Sequence, residues 1–174
     1  MKKLILILLF SLFNILYSYG QCLDCQNFDI KEPVSYQVNQ PNCGTCSYTV
    51  FYRACNSIPG SFLIDSIRAD YNNPPCCQGT AINDPIVSGY ILDEAANQIA
   101  QQNGGTAIIY TPSRCWKWEG NLGPGPLHNA VLVPCGTAVS CCIYYYNNGV
   151  LTRRDVVGTL ECRNDLEGCM PLCE

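Results

Sequence analysis

The chain has 174 residues, of which 14 are cysteine, and 48% of its residues are hydrophobic whereas 14% are charged. A chain this apolar and this weakly charged is not intrinsically disordered, and its length suits one domain. Its net charge of −4 gives no basic surface for nucleic acid.

The first 20 residues predict a secretory signal peptide. Lys2 and Lys3 form a short basic start, residues 4–17 form an apolar run, and Ser18 and Gly20 put small residues at the −3 and −1 positions of a cleavage site. The apolar run is shorter than the roughly 20 residues that span a bilayer. Cleavage after Gly20 is therefore favoured over an anchored N-terminal helix.

Cleavage would leave residues 21–174 as one domain that keeps every cysteine and loses two lysines, which lowers the net charge from −4 to −6. Such a chain is repelled by nucleic acid and by anionic lipid, so we expect no nucleic-acid partner and no membrane insertion. A lipid anchor on Cys22 is the alternative, but Gln21 is not the small residue that lipid-modified cysteines usually follow. We expect a secreted protein, located extracellularly, in a periplasm or on the cell surface.

Eight segments predict strands, because they are rich in β-branched and aromatic residues or alternate apolar with polar residues. Residues 47–55 and 61–69 flank a turn and predict an antiparallel hairpin, and Asn148 with Gly149 predicts a second, tight hairpin. The predicted strands are 34–38, 47–55, 61–69, 106–111, 115–119, 130–133, 139–146 and 150–153, and residues 156–161 can extend the sheet.

Residues 84–103 predict the one clear helix. Asp84 can cap its N-terminus, Pro85 fits the first helical position, and the glycines at 104–105 can end it. Apolar residues at helical spacing predict a stripe that packs on the core. That stripe consists of Ile86, Val87, Tyr90, Ile91, Ala95 and Ile99.

Together these elements predict an α+β fold, in which an antiparallel sheet of about five to seven strands packs on one central helix and is stapled by multiple disulfides. The 154 residues that follow the signal peptide are enough to bury a substantial core. The disulfides are therefore more than a substitute for a missing core. They suggest a need to withstand proteases, surfactants or mechanical load.

The even number of cysteines in an exported chain predicts up to seven disulfides. Neighbours in the adjacent pairs Cys76-Cys77 and Cys141-Cys142 are expected to bond to different partners, because a bridge between adjacent residues strains the peptide between them. The predicted disulfide cysteines are Cys22, Cys25, Cys43, Cys46, Cys55, Cys76, Cys77, Cys115, Cys135, Cys141, Cys142, Cys162, Cys169 and Cys173.

Two C-x-x-C motifs raise other roles for the thiols. Cys22 with Cys25, and Cys43 with Cys46, have the spacing of zinc ligands, but export to an oxidising compartment favours disulfides, and we expect no metal and no cofactor. Cys43 and Cys46 also resemble a dithiol-exchange pair. The residues after Cys46 predict a strand, however, so the helix N-terminus that activates such thiols is not expected there.

Hydrolytic chemistry has weak support in the sequence. His128 is the one histidine, so a Ser-His or Cys-His pair would have to use it. Asp93 and Glu94 are adjacent on the predicted helix and therefore do not face each other. Asp65 and Asp70 are no more specific as a carboxylate pair.

Aromatic residues are the sharper indication of function. Trp116 and Trp118 fall on one face of a predicted strand and could stack on sugar rings, or else fill the core. Tyr144 and Tyr146 lie in a run of three tyrosines that could expose a contact surface. These four residues are the predicted ligand-binding residues, and the expected partner is a protein or glycan surface.

The sequence thus favours a secreted or cell-surface, non-enzymatic protein, with a disulfide-stabilised domain for binding, adhesion or envelope structure. The alternative is a small secreted enzyme, either a thiol-disulfide oxidoreductase using Cys43 and Cys46 or a carboxylate-based hydrolase. Arg153 and Arg154 are interpreted as solvated charges at a strand edge that could pair with a carboxylate of a partner.

Overall fold

The structure, a computed structural model, describes residues 25, 27–40, 43–74, 77, 84–120, 130–135, 140–158, 162 and 168–173. The predicted signal peptide, Cys22, Cys76 and His128 lie outside these residues. Within the described part, no helix has both the length and the apolar character needed to cross a membrane.

The described residues form ten strands and one helix. The helix, α1, spans Pro85–Gln102. The strands are β1 (Phe28–Ile30), β2 (Val34–Gln40), β3 (Gly44–Cys55), β4 (Ser61–Ala69), β5 (Ala107–Tyr110), β6 (Cys115–Glu119), β7 (Val131–Pro134), β8 (Cys141–Asn147), β9 (Val150–Val157) and β10 (Met170–Pro171).

All ten strands belong to one curled, mixed sheet. The order β10-β6-β7-β4-β5-β8-β9 forms its main path, and β3 pairs with β1, β2 and β4. The prediction of an antiparallel sheet of five to seven strands is only partly right. The described strands number ten, and β4 pairs in parallel with β5, because α1 lies between them in the chain and carries it back to the starting end of the sheet.

The two longest strands, β3 and β4, make the predicted hairpin and form the middle of the sheet. Their antiparallel register runs from Tyr48 opposite Ala69 to Ala54 opposite Phe62, with an irregularity after Phe51. On β3 the buried residues alternate with half-exposed ones, as expected of a strand with one face on the core. That buried face packs in the hydrophobic core.

Both ends of α1 follow the predicted capping signals. Asp84 accepts a hydrogen bond from the backbone nitrogen of Ile86 at 2.8 Å, and Pro85 occupies the first turn. Beyond the helix, Gly105 has a φ of +80° and comes so close to the second hairpin that an added Cβ would lie 2.8 Å from the nitrogen of Gly149. A glycine is thus required where the helix exit meets that turn.

The helix packs against β2, β4, β5, β8 and β10, and its other side remains exposed. The prediction of a central helix is therefore only partly right, because α1 packs on the sheet with one side only. The predicted stripe is also only partly right, because Ile91, Ala95 and Ile99 are buried whereas Ile86 and Tyr90 are 81% and 54% exposed. The buried face also includes Leu92, Ala96 and Ala100, each of which follows a buried residue of the predicted stripe in the chain.

The second hairpin forms as predicted. Asn148 and Gly149, with φ values of 51° and 75°, join β8 to β9, which matches the positive φ angles that tight hairpin turns require. β9 continues through Val157, beyond the predicted end at residue 153. This extension places Arg154 beside the helix.

Candidate functional site

Disulfides dominate the chemistry of the described residues. Each of the twelve cysteines that the structure describes is in a disulfide, as predicted. Five bridges have both ends described, with Cα–Cα distances of 5.5–6.3 Å, within the usual range. They are Cys25–Cys55, Cys46–Cys77, Cys115–Cys162, Cys135–Cys169 and Cys142–Cys173.

The C-x-x-C motif at Cys43 and Cys46 does not form a disulfide of its own. Cys46 bonds to Cys77, and the sulfur of Cys43, which is in another disulfide, lies 3.1 Å from the sulfur of Cys77. Cys46 sits within β3 rather than at a helix N-terminus, so no helix dipole activates its sulfur. This arrangement is a structural staple and gives the oxidoreductase alternative no support.

Cys142 bonds to Cys173 and Cys77 bonds to Cys46. Neither is therefore bonded to its adjacent cysteine, as predicted from the strain of such a ring. The sulfurs of Cys115, Cys162 and Cys169 also lie within 4.8 Å of one another. Each is in a disulfide and thus lacks the thiolate form that binds metal.

The four aromatic residues predicted to bind ligand are all buried. Trp116 and Tyr144 have no exposed surface, and Trp118 and Tyr146 are 5% and 6% exposed. These positions therefore provide no exposed aromatic strip. The sequence alone does not say whether the aromatic faces of β6 and β8 point inward or outward, and in the structure both pack on the core. A ligand role for these four residues stays a prediction.

Two of these aromatic side chains hold the helix on the sheet. Trp118 donates its indole N–H to the hydroxyl of Ser88 at 3.0 Å, and Tyr144 donates to the carboxylate of Asp93 at 2.9 Å. Tyr36 on β2 does the same by donating to the carbonyl of Ile91 at 2.9 Å. Buried hydroxyl and indole groups need such partners.

Burial changes the acid–base behaviour of these tyrosines. Removal from water raises the pKa of Tyr36 and of Tyr144 well above its ordinary value, and nearby acidic groups add to the shift. Burial likewise raises the pKa of Tyr48 and of Tyr146. Because the pKa of each phenol is raised, all four resist ionisation in alkali more than an exposed tyrosine does.

Three of the four candidate carboxylates have polar partners of their own. Asp65 is held by a bidentate contact with Arg53, with N–O distances of 2.7–2.9 Å. Glu94 accepts from the amide of Gln98 at 2.8 Å. Asp93, which pairs with Arg154, lies at the edge of a groove.

The groove has a volume of about 420 Å³ and lies between the outward side of α1 and the C-terminal tail, which we define as residues 168–173. Pockets of roughly 300–1,000 Å³ are typical of small-ligand sites. Its lining includes apolar residues from both walls and an ion pair. These residues are Pro85, Ile86, Gly89, Tyr90, Asp93, Arg154, Pro171 and Leu172.

The ion pair in the groove joins the helix to β9. One oxygen of Asp93 accepts from Arg154 at 2.5 Å, and the other accepts from the hydroxyl of Tyr144. The guanidinium of Arg154 also lies over the Tyr144 ring, 5.0 Å from its centroid. The two charged side chains are 27% and 33% exposed, so they are fixed from below yet reachable from the groove.

The tail forms the second wall of the groove and is held by covalent and polar contacts. Cys173 is bonded to Cys142 on β8, and its carbonyl accepts from the guanidinium of Arg114 at 3.2 Å. The backbone nitrogen of Leu172 donates to the carbonyl of Arg114 at 3.0 Å. These contacts fix a segment that contains a strand of two residues.

Gly89 lets the tail approach the helix. A Cβ at this position would lie 3.0 Å from the carbonyl oxygen of Leu172, closer than ordinary van der Waals contact. Sequence patterns did not single out Gly89 or Tyr90 as site residues, and Arg154, interpreted as a solvated charge that could pair with a partner's carboxylate, pairs instead with Asp93 of the same chain. The four-residue spacing of Ile86 and Tyr90 puts both on the same side of a helix, and this signal could have identified them as a pair. The contact with the tail could not be predicted in this way, because it depends on disulfides between distant residues.

In comparisons with known proteins, no protein-family model matches this chain, and neither the curated proteins nor the solved structures contain a match. What the protein does must therefore be inferred from the groove and the disulfide framework.

Proposed function

We propose that this protein is a secreted or cell-surface, non-enzymatic binding domain whose contact surface is the groove between α1 and the C-terminal tail. The observation that carries the proposal is the exposure of Ile86 and Tyr90 beside the rigid Asp93–Arg154 pair. Large apolar side chains next to fixed polar groups in a concave site are typical of ligand binding.

The disulfides support a location outside the cytosol. Bridges of this density persist in oxidising compartments, and the predicted signal peptide agrees with export. Adhesion and envelope structure remain within the same proposal, since both use a disulfide-stabilised domain. The enzymatic alternatives receive no comparable support, because Cys46 is bonded to Cys77 and Asp93 is engaged by Arg154 and Tyr144.

The buried aromatic residues have a place in this proposal as positioning residues. Tyr144 orients Asp93 from beneath, and Trp118 fixes Ser88 on the turn of α1 that lies against the tail. Neither side chain needs to touch ligand for its loss to disturb the groove. Preorganised support of this kind reduces the entropy lost on binding.

A fragment screen tests the groove while its ligand is unidentified. Small ring-containing and polar fragments are added to isotope-labelled protein, and backbone amide chemical shifts are recorded. We expect the fragments that bind to perturb Gly89, Tyr90 and Asp93, and we expect Tyr90→Ala to abolish those perturbations. Tyr71→Ala is the matched control, because Tyr71 is 59% exposed and outside the groove lining. Binding confined to other surfaces would contradict the proposal.

Export is tested by expressing the full chain in a secreting host and determining the N-terminus of the product. We expect the protein in the medium or on the cell surface to begin at Gln21. Retention in the cytosol with Met1 in place would contradict export.

A further inference from the structure

Resting on the proposed binding function, we propose that the groove binds a neutral carbohydrate, with Tyr90 as the stacking platform and Asp93 with Arg154 as the hydroxyl-binding pair. A sugar ring has an apolar C–H face and a rim of hydroxyl groups. The groove presents an aromatic ring and a donor–acceptor pair side by side, so its chemistry is complementary to both parts of such a ring.

Tyr90 provides the apolar half of the site. It lies on the outward side of α1, is 54% exposed and lines the groove together with Ile86. Aromatic side chains combine a large apolar face with low conformational entropy and a polar tip. An exposed ring at the edge of a concave site is therefore suited to cover one face of a flat, partly polar ligand.

The Asp93–Arg154 pair provides the polar half. A carboxylate accepts hydrogen bonds from hydroxyl groups and a guanidinium donates to them, so the pair can bind neighbouring hydroxyls from both directions. Tyr144 holds Asp93 from below, and its ring supports the guanidinium. A pair fixed in this way meets a ligand without first being ordered.

The charge of the pair indicates a neutral ligand. Asp93 and Arg154 compensate each other at 2.5 Å, and the other described residues that line the groove carry no charged side chain. A bound anion or cation would have to compete with the existing partner of opposite charge. A polyol can add hydrogen bonds to both groups and leave the ion pair intact.

The size of the groove favours a small ligand over a protein surface. A volume of about 420 Å³ holds a short oligosaccharide segment, whereas a specific protein interface buries about 800 Å² on each partner. Among the described lining residues, the large exposed apolar side chains are Ile86 and Tyr90, which share one helix face. This is the scale of a ring-stacking site.

The test is retention on an array of immobilised neutral and acidic glycans, with a peptide array in parallel. We expect the native protein to bind a subset of neutral glycans. Tyr90→Ala should weaken that binding by about tenfold or more, equivalent to about 1.4 kcal/mol, and Tyr90→Phe should retain it because the ring remains. Tyr71→Ala is the control and should bind as the native protein does. Thermal unfolding checks that each variant is folded.

The outcomes separate this inference from the proposed function. If fragments bind the groove but the array retains no neutral glycan, the proposal of a carbohydrate ligand is wrong, whereas the proposal that the groove binds a ligand is still supported. Retention confined to acidic glycans, or groove binding by peptides alone, also overturns the carbohydrate. If fragments and glycans both bind away from the groove and Tyr90→Ala changes neither, both proposals fail.

Discussion

The β3–β4 hairpin and the C-terminal tail differ in how much strand pairing and how much disulfide bonding hold them in place. The hairpin has strands of 12 and 9 residues, pairs along most of their length and buries one face in the hydrophobic core. The tail has a strand of two residues, yet it reaches across the sheet and forms a wall of the groove. Extended strand pairing and burial hold the first, whereas the second combines a short pairing with β6, hydrogen bonds with Arg114 and the bridges at Cys169 and Cys173.

The placement of the bridges supports this contrast. Of the five disulfides with both ends described, three lie within residues 115–173 and two within residues 25–77. The three fasten residues 162, 169 and 173 to strands or their ends. Two of these bridges, Cys135–Cys169 and Cys142–Cys173, attach the tail, whose strand has only two residues and which lines the groove.

Alkali gives the largest expected effect and acts on the aromatic core under both regions. Burial raises the pKa of Tyr36, Tyr48, Tyr144 and Tyr146 above the unfolded value of about 10. Their contribution to stability is therefore complete below about pH 10 and is lost as pH rises toward the folded pKa, at about 1.4 kcal/mol per pH unit for each phenol.

The free energy of unfolding is measured from about pH 8 to about pH 12, a range that brackets the unfolded tyrosine pKa of about 10. Ultraviolet absorbance follows the formation of phenolate. We expect these four phenols to ionise together with unfolding, and Tyr36→Phe to make the fall shallower. Ionisation near pH 10 of all nine tyrosines that follow the predicted signal peptide, in a protein that stays folded, would contradict the buried hydroxyl contacts.

Removal of the Cys142–Cys173 bridge should affect the tail much more than the hairpin. The bridge closes a loop with a sequence separation of 31, for which loop entropy gives about 3–4 kcal/mol of stability. We expect the double variant Cys142→Ala with Cys173→Ala to lose about that much and to show faster amide exchange at Leu172 and Gly89.

The matched control is Cys25→Ala with Cys55→Ala, whose bridge has a separation of 30. The similar loop predicts a similar loss of about 3–4 kcal/mol, but amide exchange at Gly89 should stay at the native rate. Equal exchange effects in both double variants would show that the tail does not depend specifically on its own staple.

Gly89→Val tests the contact between the helix and the tail with a smaller perturbation. A side chain here enters the space of the Leu172 carbonyl, and overpacking of this kind costs about 1–3 kcal/mol. We expect lower stability and weaker ligand binding together. Gln101→Val on the exposed part of the same helix has the same β-branched side chain without the contact, and its effect should be clearly smaller.

The smallest expected effect comes from the ion pair of the hairpin. Arg53 and Asp65 are 35% and 34% exposed, so Arg53→Gln should cost about 0–1 kcal/mol and leave ligand binding unchanged. Arg154→Gln breaks a pair of similar exposure in the groove and should weaken binding. Equal effects of the two variants on binding would remove the groove pair from the site.

Local signals in the sequence predicted the elements that depend on local chemistry. Asp84 with Pro85 marks the helix start, and Asn148 with Gly149 marks the hairpin, because capping and positive φ are decided within a few residues. The parallel pairing of β4 with β5 is a consequence of where the helix carries the chain, and no local pattern records it.

The site was harder to predict for the same reason. Apolar residues occur at so many positions of α1 that the sequence leaves its inward-facing side ambiguous, and packing against strands distant in the chain determines which of them are buried. Trp116 and Trp118 share a strand face as predicted, but that face packs on the core. The partner of Cys46 is 31 residues away, beyond what the spacing of a C-x-x-C motif can indicate.

A disulfide-stapled tail and the outward side of α1 together form the proposed carbohydrate site. Its most direct test is the dissociation constant of the best-retained neutral glycan, measured for the native protein and for the two double-cysteine variants under conditions where all three are folded. We predict that loss of the Cys142–Cys173 bridge weakens binding by about tenfold or more, whereas loss of the Cys25–Cys55 bridge leaves it unchanged. The same affinity in all three proteins would mean that the tail does not form part of a carbohydrate site.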